Sequence, residues 1–267
     1  MPRMLLSLAV LLWASPVQAT WSVIALDRST GTVVIASATC VPQARLEAFP
    51  AKDLRDIQAI VVPGVGVAAA QAGVDRTRAN QALIDAELRK GTPPAAIIAM
   101  LEQDPEIDRR QFGILDMQGR AAGFSGAKNG QASLDRQGQV PGAPIHYSIQ
   151  GNILKSDAVV EAAVDAFVAA GGSLSDRVMA AMEAADAQGG DSRCTCESEP
   201  KLEAPCDGRT SHVAYLLRAE KGDRTGSSFN DGQYTTYISV TDRDIEPTEN
   251  ANPVKTLRMR YEAQRRR

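Results

Sequence analysis

The sequence predicts a single α+β domain in which sheets pack together and helix pairs lie outside them. Two strand-rich segments are each followed by two helical segments, and more strands precede the C-terminus. This order differs from the strict strand–helix alternation of a parallel sheet. The 267 residues, of which 44% are hydrophobic and 23% charged, are typical of one globular domain. We find no internal repeat and no convincing linker.

The first nineteen residues have the pattern of a secretory signal peptide. Arg3 precedes an apolar run over residues 4–13, and compact residues follow at Val17 and Ala19. A membrane span needs about 20 apolar residues, so this run is too short to be one. We therefore predict cleavage between Ala19 and Thr20, a domain over 20–267, and a periplasmic or secreted location. The alternative is an uncleaved N-terminal helix.

Strand and helix segments follow in a regular order along the first half of this domain. Ser29-Thr30-Gly31 supplies a turn between two segments rich in β-branched residues, which predicts a hairpin. Pro63-Gly64 separates two further strands, and Gly91 separates two helices. We predict strands at 20–27, 32–39, 59–62 and 65–71, helices at 77–90 and 93–103, and an irregular or partly helical stretch at 41–58.

The second half follows the same order. Met117-Gln118-Gly119 supplies the turn of another hairpin, and Gly171-Gly172 joins two amphipathic helices. We predict strands at 110–116, 120–124, 145–150, 211–219 and 235–240, helices at 157–170, 175–187 and from 254 onward, a Gly- and Gln-rich loop at 126–143, and a cysteine-bearing loop at 189–208. The basic C-terminal tail is typical of a solvated, frayed end.

The four cysteines predict structural disulfides, because export would place them in an oxidising compartment. A bridge between Cys194 and Cys196 is disfavoured, since neighbours this close in an extended chain lie at the limit of disulfide geometry. We expect these two cysteines to pair outward, one with Cys40 and the other with Cys206. A metal site or redox pair on Cys-x-Cys is the alternative, and it has no nearby His to support it.

Charge and motif content argue against several classes of function. The formal net charge of −3 gives no general attraction for nucleic acid or anionic lipid. His146 and His212 do not form a His-Glu-x-x-His motif, so no metal is predicted. Gly64-x-Gly66-x-x-Ala69 formally fits a dinucleotide fingerprint, but a strand follows where that motif needs a helix. We therefore predict no cofactor and no membrane span; a small molecule or peptide is the expected substrate, and a homo-oligomer is possible.

Cleavage after Ala19 would make Thr20 the first residue of a strand. An N-terminal Thr can act as a nucleophile through its hydroxyl while its own α-amine serves as the base. The reference pKa of such an amine is about 7.7–8.0, which suits this task near neutral pH. The alternative is that Thr20 simply begins an edge strand. Ser22 and Cys40 are rival nucleophiles, although Ser22 lacks a visible base and a disulfide would consume Cys40.

Several segments give the chain a family resemblance. They extend in order through most of the predicted mature chain. The segments are residues 20–25 (TWSVIA) with Asp27 and Gly31, Gly64-Val65-Gly66 to Gln71-Ala72, Arg110-Gln111-Phe112-Gly113 with Asp116 and Gly119, Gln150-Gly151-Asn152-Ile153-Leu154, and residues 186–191 (DAQGGD). In these segments the chain resembles the domain-of-unknown-function 1028 family, which is placed within the N-terminal-nucleophile (Ntn) hydrolase superfamily.

The resemblance implies a four-layer αββα sandwich with the nucleophile at the end of a central strand. Family members usually start with Met-Thr, whereas signal peptidase would expose Thr20 in this chain. After Arg193 the family usually continues through Gly into a Gln-Ser-Ala strand. Here Cys194-Thr195-Cys196 and an inserted loop replace that strand. The resemblance thus implies a class of chemistry and no particular substrate.

Each candidate supporting residue has a functional and a structural interpretation. Asn152 can contribute to an oxyanion hole or can accommodate a left-handed turn. Asp27 can orient the amine or only open the hairpin turn. Gln71 can line the substrate pocket or be a satisfied buried amide. Asp191 and Arg193 can bind substrate charge or pair with each other at the base of the loop.

The sequence therefore supports two hypotheses. The first is an exported Ntn-type hydrolase that cleaves an amide or related acyl bond through Thr20. The second is a non-catalytic periplasmic binding or interaction domain that keeps the same fold, since no complete catalytic triad is identifiable.

Overall fold

A computed structural model describes residues 20–49 and 51–266, so the predicted signal peptide lies outside the described residues. Within these ranges the chain forms ten strands and seven α-helices. Every pairing between these strands is antiparallel, and the strands form two sheets. The predicted mixture of strand hairpins and helices is thereby confirmed.

The larger sheet has six strands, in the order β10-β9-β2-β1-β8-β7. Its members are β1 (Thr20–Asp27), β2 (Thr32–Thr39), β7 (Leu134–Gln139), β8 (Ile145–Asn152), β9 (Val213–Ala219) and β10 (Thr236–Thr241). All eight residues of β1 pair with β2 on one side and with β8 on the other. The first strand is therefore central rather than at an edge.

The smaller sheet has four strands in sequence order: β3 (Ala59–Val62), β4 (Gly66–Ala72), β5 (Arg110–Asp116) and β6 (Ala121–Ser125).

The helices are α1 (Gln43–Leu46), α2 (Leu54–Gln58), α3 (Ala79–Lys90), α4 (Pro94–Leu101), α5 (Ala158–Ala169), α6 (Leu174–Ala187) and α7 (Pro253–Arg265). Local sequence sets their ends. A capping box of Ser173 and Asp176 begins α6, and Gly91 ends α3 with a φ of 79°.

Successive side chains of β1 point to opposite faces of the sheet, so the strand contributes to two different apolar clusters. Trp21, Val23 and Ala25 pack in a cluster with residues of α5, α6 and α7. Ile24 and Leu26 pack in a second cluster, which contains residues of both sheets. A third cluster joins the smaller sheet to α3 and α4.

Strand β7 corrects the predicted Gly- and Gln-rich loop over 126–143. Its sequence, LDRQGQ, contains no β-branched residue, so composition gives no strand signal. The segment becomes a strand because all six of its residues pair with β8. Tertiary pairing overrides local preference here.

The two disulfides join Cys40 to Cys194 and Cys196 to Cys206. The corresponding Cα atoms lie 5.6 Å and 5.9 Å apart. This arrangement confirms that Cys194 and Cys196 pair outward and not with each other. Structural disulfides of this kind indicate an oxidising, extracellular environment.

The two disulfides should contribute unequally to stability, because a longer closed loop restricts the unfolded chain more. Their sequence separations of 154 and 10 residues correspond to upper estimates of about 5 and about 3 kcal/mol. We expect the double change Cys40→Ser and Cys194→Ser to lower the free energy of unfolding by about 2 kcal/mol more than the double change at Cys196 and Cys206. Urea unfolding of both variants measures this difference, and equal losses would contradict it.

Glycine is required within β5, where the larger sheet presents polar side chains to the smaller one. A Cβ atom at Gly113 would lie 2.7 Å from Ser148 Oγ and closer still to Gln150 Oε1. We expect Gly113→Ala to lower the free energy of unfolding by about 1–3 kcal/mol, as overpacking does. Gly171→Ala is the matched control, because a Cβ atom there meets nothing within 4 Å. Similar unfolding midpoints for the two variants would count against this explanation.

Candidate active site at the start of the first strand

Thr20 begins the central strand β1 and lies between two neighbouring strands. It is opposite Thr39 of β2 and Asn152 of β8. The residue is only 4% exposed, and its Oγ1 donates a hydrogen bond to Thr39 Oγ1 at 3.3 Å. Side chains of directly paired residues share a face of the sheet. The structure therefore places one hydroxyl and one amide side chain beside Thr20.

Asn152 is the last residue of β8 and is fully buried. The residue after it, Ile153, has a φ of 52°, whereas Asn152 does not have a positive φ. The left-handed position of this turn is thus occupied by Ile153. The turn conformation does not explain an Asn at position 152, and its amide lies on the strand directly opposite Thr20.

Gln71 of β4 connects the smaller sheet to Thr20. Its Nε2 donates to the Thr20 carbonyl oxygen at 3.1 Å and to Gln111 Oε1 at 2.7 Å. Its Oε1 accepts hydrogen bonds from Ser22 Oγ at 2.7 Å and from Gln58 Nε2 at 2.6 Å. Gln71 is therefore a satisfied buried amide that also holds the backbone of Thr20.

A narrow cleft opens beside Thr20, between β4, β5, α2 and α3. Its free volume is about 20 Å³, which is roughly the space that one water molecule needs. The lining combines apolar side chains with amides and two charged groups: Leu54, Ile57, Val74 and Phe112; Gln58, Gln71, Asn80 and Gln81; Asp75 and Arg110. The cleft thus offers both apolar contact and hydrogen-bonding groups near the Thr20 side chain.

Hydrogen bonds hold one carboxylate in the lining of this cleft and another behind it: Asp75 lines the cleft, and Asp104 contacts the lining residues Asn80 and Arg110. Burial opposes ionisation of Asp104, but Arg110 and Asn80 donate to its carboxylate and bring its pKa below the ordinary value. Burial also opposes ionisation of Asp75, and hydrogen bonds from Asn80 and Thr77 likewise lower its pKa. Both carboxylates therefore stay ionised at neutral pH.

The two rival nucleophiles are engaged elsewhere. Ser22 Oγ donates to Gln71 Oε1 and accepts a hydrogen bond from Gln150 Nε2 at 2.7 Å. Cys40 is in a disulfide and has no thiol.

Asp27 lies at the opposite end of β1 from Thr20. Seven strand positions separate the two residues, which corresponds to about 24 Å. The Asp27 carboxylate accepts hydrogen bonds from the Ser29 backbone N–H at 2.8 Å and from the Ser29 hydroxyl at 2.6 Å. It therefore stabilises the hairpin turn, and it is not positioned to orient an amine on Thr20.

Asp191 and Arg193 form an ion pair at the base of the cysteine-bearing loop. Arg193 Nη2 donates to Asp191 Oδ2 at 2.7 Å, and Asp191 is 1% exposed. The same carboxylate oxygen accepts the backbone N–H of Cys40 at 2.8 Å. The pair thus fixes the loop against the residue that follows Thr39.

Thr39, Gln58 and Gln111 are site residues that the sequence interpretation missed. Gln111 and Gln71 carried a usable signal, because each is a long polar residue within an otherwise mostly apolar strand. Thr39 gave no such signal, since its importance comes only from its pairing with Thr20.

In the described ranges, no three His, Cys, Asp or Glu side chains are grouped as metal ligands. No helix among these residues has the length and apolar character needed to cross a bilayer.

Comparison with known proteins gives a family and a fold. The model of the family of unknown function DUF1028 matches residues 20–199. The crystal structure of protein SPO2555 from Silicibacter pomeroyi, which bears the same family model, is similar with a TM-score of 0.64 and 21% identity, covering 92% of this chain and 88% of that chain. At this identity, the likeness shows the fold alone. None of the curated proteins matches the chain. Because the family model covers more than half of the sequence, the chain belongs to the DUF1028 family.

Proposed function

We propose that the chain is an exported Ntn-type hydrolase that cleaves an amide or related acyl bond, with Thr20 as its nucleophile. The observation that carries this proposal is the position of Thr20. It begins a central strand, lines a cleft, and has its hydroxyl and its carbonyl held by Thr39 and Gln71. We assign the fold to a four-layer αββα sandwich, with α3 and α4 outside the smaller sheet and α5 and α6 outside the larger one.

Export and maturation are part of the proposal. Removal of residues 1–19 would convert the backbone nitrogen of Thr20 into a free α-amine. The family match begins at Thr20, and the two disulfides are typical of proteins that fold in an oxidising compartment. We therefore place the mature protein in the periplasm or outside the cell.

The proposed reaction proceeds through an acyl-enzyme. The Thr20 hydroxyl attacks the substrate carbonyl and gives its proton to the α-amine. The carbon–nitrogen bond of the substrate then breaks, and the leaving amine takes that proton. Water, deprotonated by the same α-amine, attacks the resulting ester. The acid product leaves, and the Thr20 hydroxyl regains a proton.

Asn152 is the proposed donor for the oxyanion that develops on the substrate carbonyl. Its amide lies on the strand paired with Thr20 and is fully buried, so a hydrogen bond from it would act in a water-excluded place. Thr39 accepts the hydrogen bond of the Thr20 hydroxyl and so orients the nucleophile. Both neighbours belong to strands that pair with β1, which fixes their positions relative to Thr20.

Covalent labelling of mature protein tests the nucleophile. After N-terminal sequencing confirms Thr20 as the first residue, an acyl-type electrophile such as a β-lactone is expected to label Thr20 stoichiometrically. The labelling rate should rise with pH, because the base is the neutral α-amine. Thr20→Ala should abolish the adduct, whereas Ser22→Ala should keep it on Thr20.

Two outcomes would contradict the hydrolase proposal. One is a mature N-terminus at any other residue. The other is folded protein that begins at Thr20 and is not labelled, which would favour the non-catalytic binding domain.

Asn152→Ala tests the oxyanion hole. Loss of one such donor lowers a catalytic rate about 100-fold to 1000-fold, so we expect Thr20 to be acylated more slowly by that factor. The measurement is the acylation rate at saturating electrophile, and the midpoint of urea unfolding verifies that the variant is folded. An unchanged rate in a folded variant would remove Asn152 from the proposed mechanism.

A further inference from the structure

Eight polar side chains form a closed ring of hydrogen bonds between the two sheets. We call this the polar ring. Its members come from β1, β4, β5, β6, β7 and β8, and they are Ser22, Gln71, Gln111, Ser125, Asp135, Gln137, Ser148 and Gln150. Asp135 is its single ionisable member.

The hydrogen bonds of the ring run in one direction from Gln137. Gln137 Nε2 donates to Ser148 Oγ at 3.1 Å, and Ser148 donates to Gln150 Oε1 at 2.9 Å. Gln150 Nε2 then donates to Ser22 Oγ at 2.7 Å, and Ser22 donates to Gln71 Oε1 at 2.7 Å. Each side chain along this half is a donor to the next.

The other half continues in the same direction and ends on Asp135. Gln71 Nε2 donates to Gln111 Oε1 at 2.7 Å, and Gln111 Nε2 donates to Ser125 Oγ at 2.8 Å. Ser125 donates to Asp135 Oδ2 at 2.7 Å, while Gln137 Nε2 donates to Asp135 Oδ1 at 3.1 Å. Asp135 therefore accepts the hydrogen bonds that close the ring from both sides.

Groups outside the ring fix the same donor direction. Gln71 Nε2 also donates to the Thr20 carbonyl, and Gln111 Nε2 donates to the Gly151 carbonyl at 2.8 Å. A carbonyl oxygen only accepts, so neither amide can be reversed without losing a partner. The orientation of Gln71, and with it the hydrogen bond on Thr20, belongs to the arrangement that ends on Asp135.

The structure keeps this ring where apolar packing would otherwise fill the space. Gly113 and Gly123 are cross-strand partners, and a Cβ atom on either would collide with ring side chains. A fully satisfied buried polar network rigidifies the interior and specifies one arrangement of its side chains, which an apolar core does not require. The ring is therefore suited to fix side-chain directions next to Thr20.

We propose that Asp135 is a positioning residue for Thr20, an inference that rests on the proposed hydrolase function. A carboxylate group accepts hydrogen bonds, and Asp135 is the acceptor on which both donor series from Gln137 end, so it completes the arrangement that the Thr20 and Gly151 carbonyls favour. Through Ser125, Gln111 and Gln71 it keeps an N–H group on the Thr20 carbonyl. An amide at position 135 would present a donor to Ser125 or to Gln137, each of which donates to Asp135 in the structure, so one of these two hydrogen bonds would be lost.

Asp135→Asn tests this role, because it changes the acceptor without changing the size of the side chain. We expect the acylation rate of Thr20 at saturating electrophile to fall about tenfold, the equivalent of roughly one hydrogen bond. The half-saturating electrophile concentration should not change, because Asp135 does not line the cleft. Gln139→Ala on the same strand is the matched control, since Gln139 donates outside the ring, to the Ala143 carbonyl.

Hydrogen exchange of the side-chain amides gives a second readout, which does not depend on acylation of Thr20. In Thr20→Ala protein, NMR should show slow exchange for the Nε2 hydrogens of Gln71 and Gln111. Adding Asp135→Asn should speed this exchange about tenfold. Adding Gln139→Ala should leave it unchanged.

The two readouts separate the inference from the function on which it rests. Absence of labelling in wild-type protein, together with faster exchange in the Asp135→Asn variant, would remove the hydrolase function and retain the positioning role. An unchanged acylation rate with unchanged exchange would overturn the positioning role. A change only in the half-saturating concentration would also overturn it, because that result assigns Asp135 to ligand binding.

Discussion

The burial of β1 on both faces and its pairing on both edges constrain the rest of the molecule. On its helix-facing side Trp21, Val23 and Ala25 are apolar and buried, and its other face meets the second sheet. A residue at the start of such a strand cannot move independently of β2 and β8, which hold it in register. Thr20 therefore has fixed neighbours, Thr39 and Asn152, although it lies at the beginning of the described chain.

The space between the sheets is divided into two chemically different parts. Toward the hairpin turn, Ile24 and Leu26 pack against apolar residues of β3, β4 and β5. Toward Thr20, amides and hydroxyls fill the same layer, and glycines on the facing strands make room for them. Because buried polar groups need partners, each amide in this part has a defined orientation. The candidate site therefore lies next to the part of the interior in which hydrogen bonds fix the orientations of the side chains.

The sequence predicted most strands and helices because their patterns are local. It did not predict β7, whose six residues lack the usual strand formers and depend on β8. The site was only partly predictable for a related reason. Thr20 followed from the predicted cleavage site, and Gln71 lies in a segment that carries the family resemblance. Ser22 and Gln150, in contrast, lie 128 residues apart in the chain and give no local sign of their contact. Asp27 lay in a matching segment, yet its carboxylate is used by the adjacent turn.

The bridge between Cys40 and Cys194 affects when, during maturation of the chain, the region beside Thr20 becomes ordered. Cys40 directly follows Thr39, so the covalent link lies one residue from the partner of the Thr20 hydroxyl. A chain in reducing surroundings would lack this link, and the loop that holds Asp191 against the Cys40 backbone would be tethered only by non-covalent contacts. Final ordering of the strand end beside Thr20 would then follow oxidation. On the proposed export route, newly made chains would reach the oxidising compartment before the strand end beside Thr20 is covalently fixed.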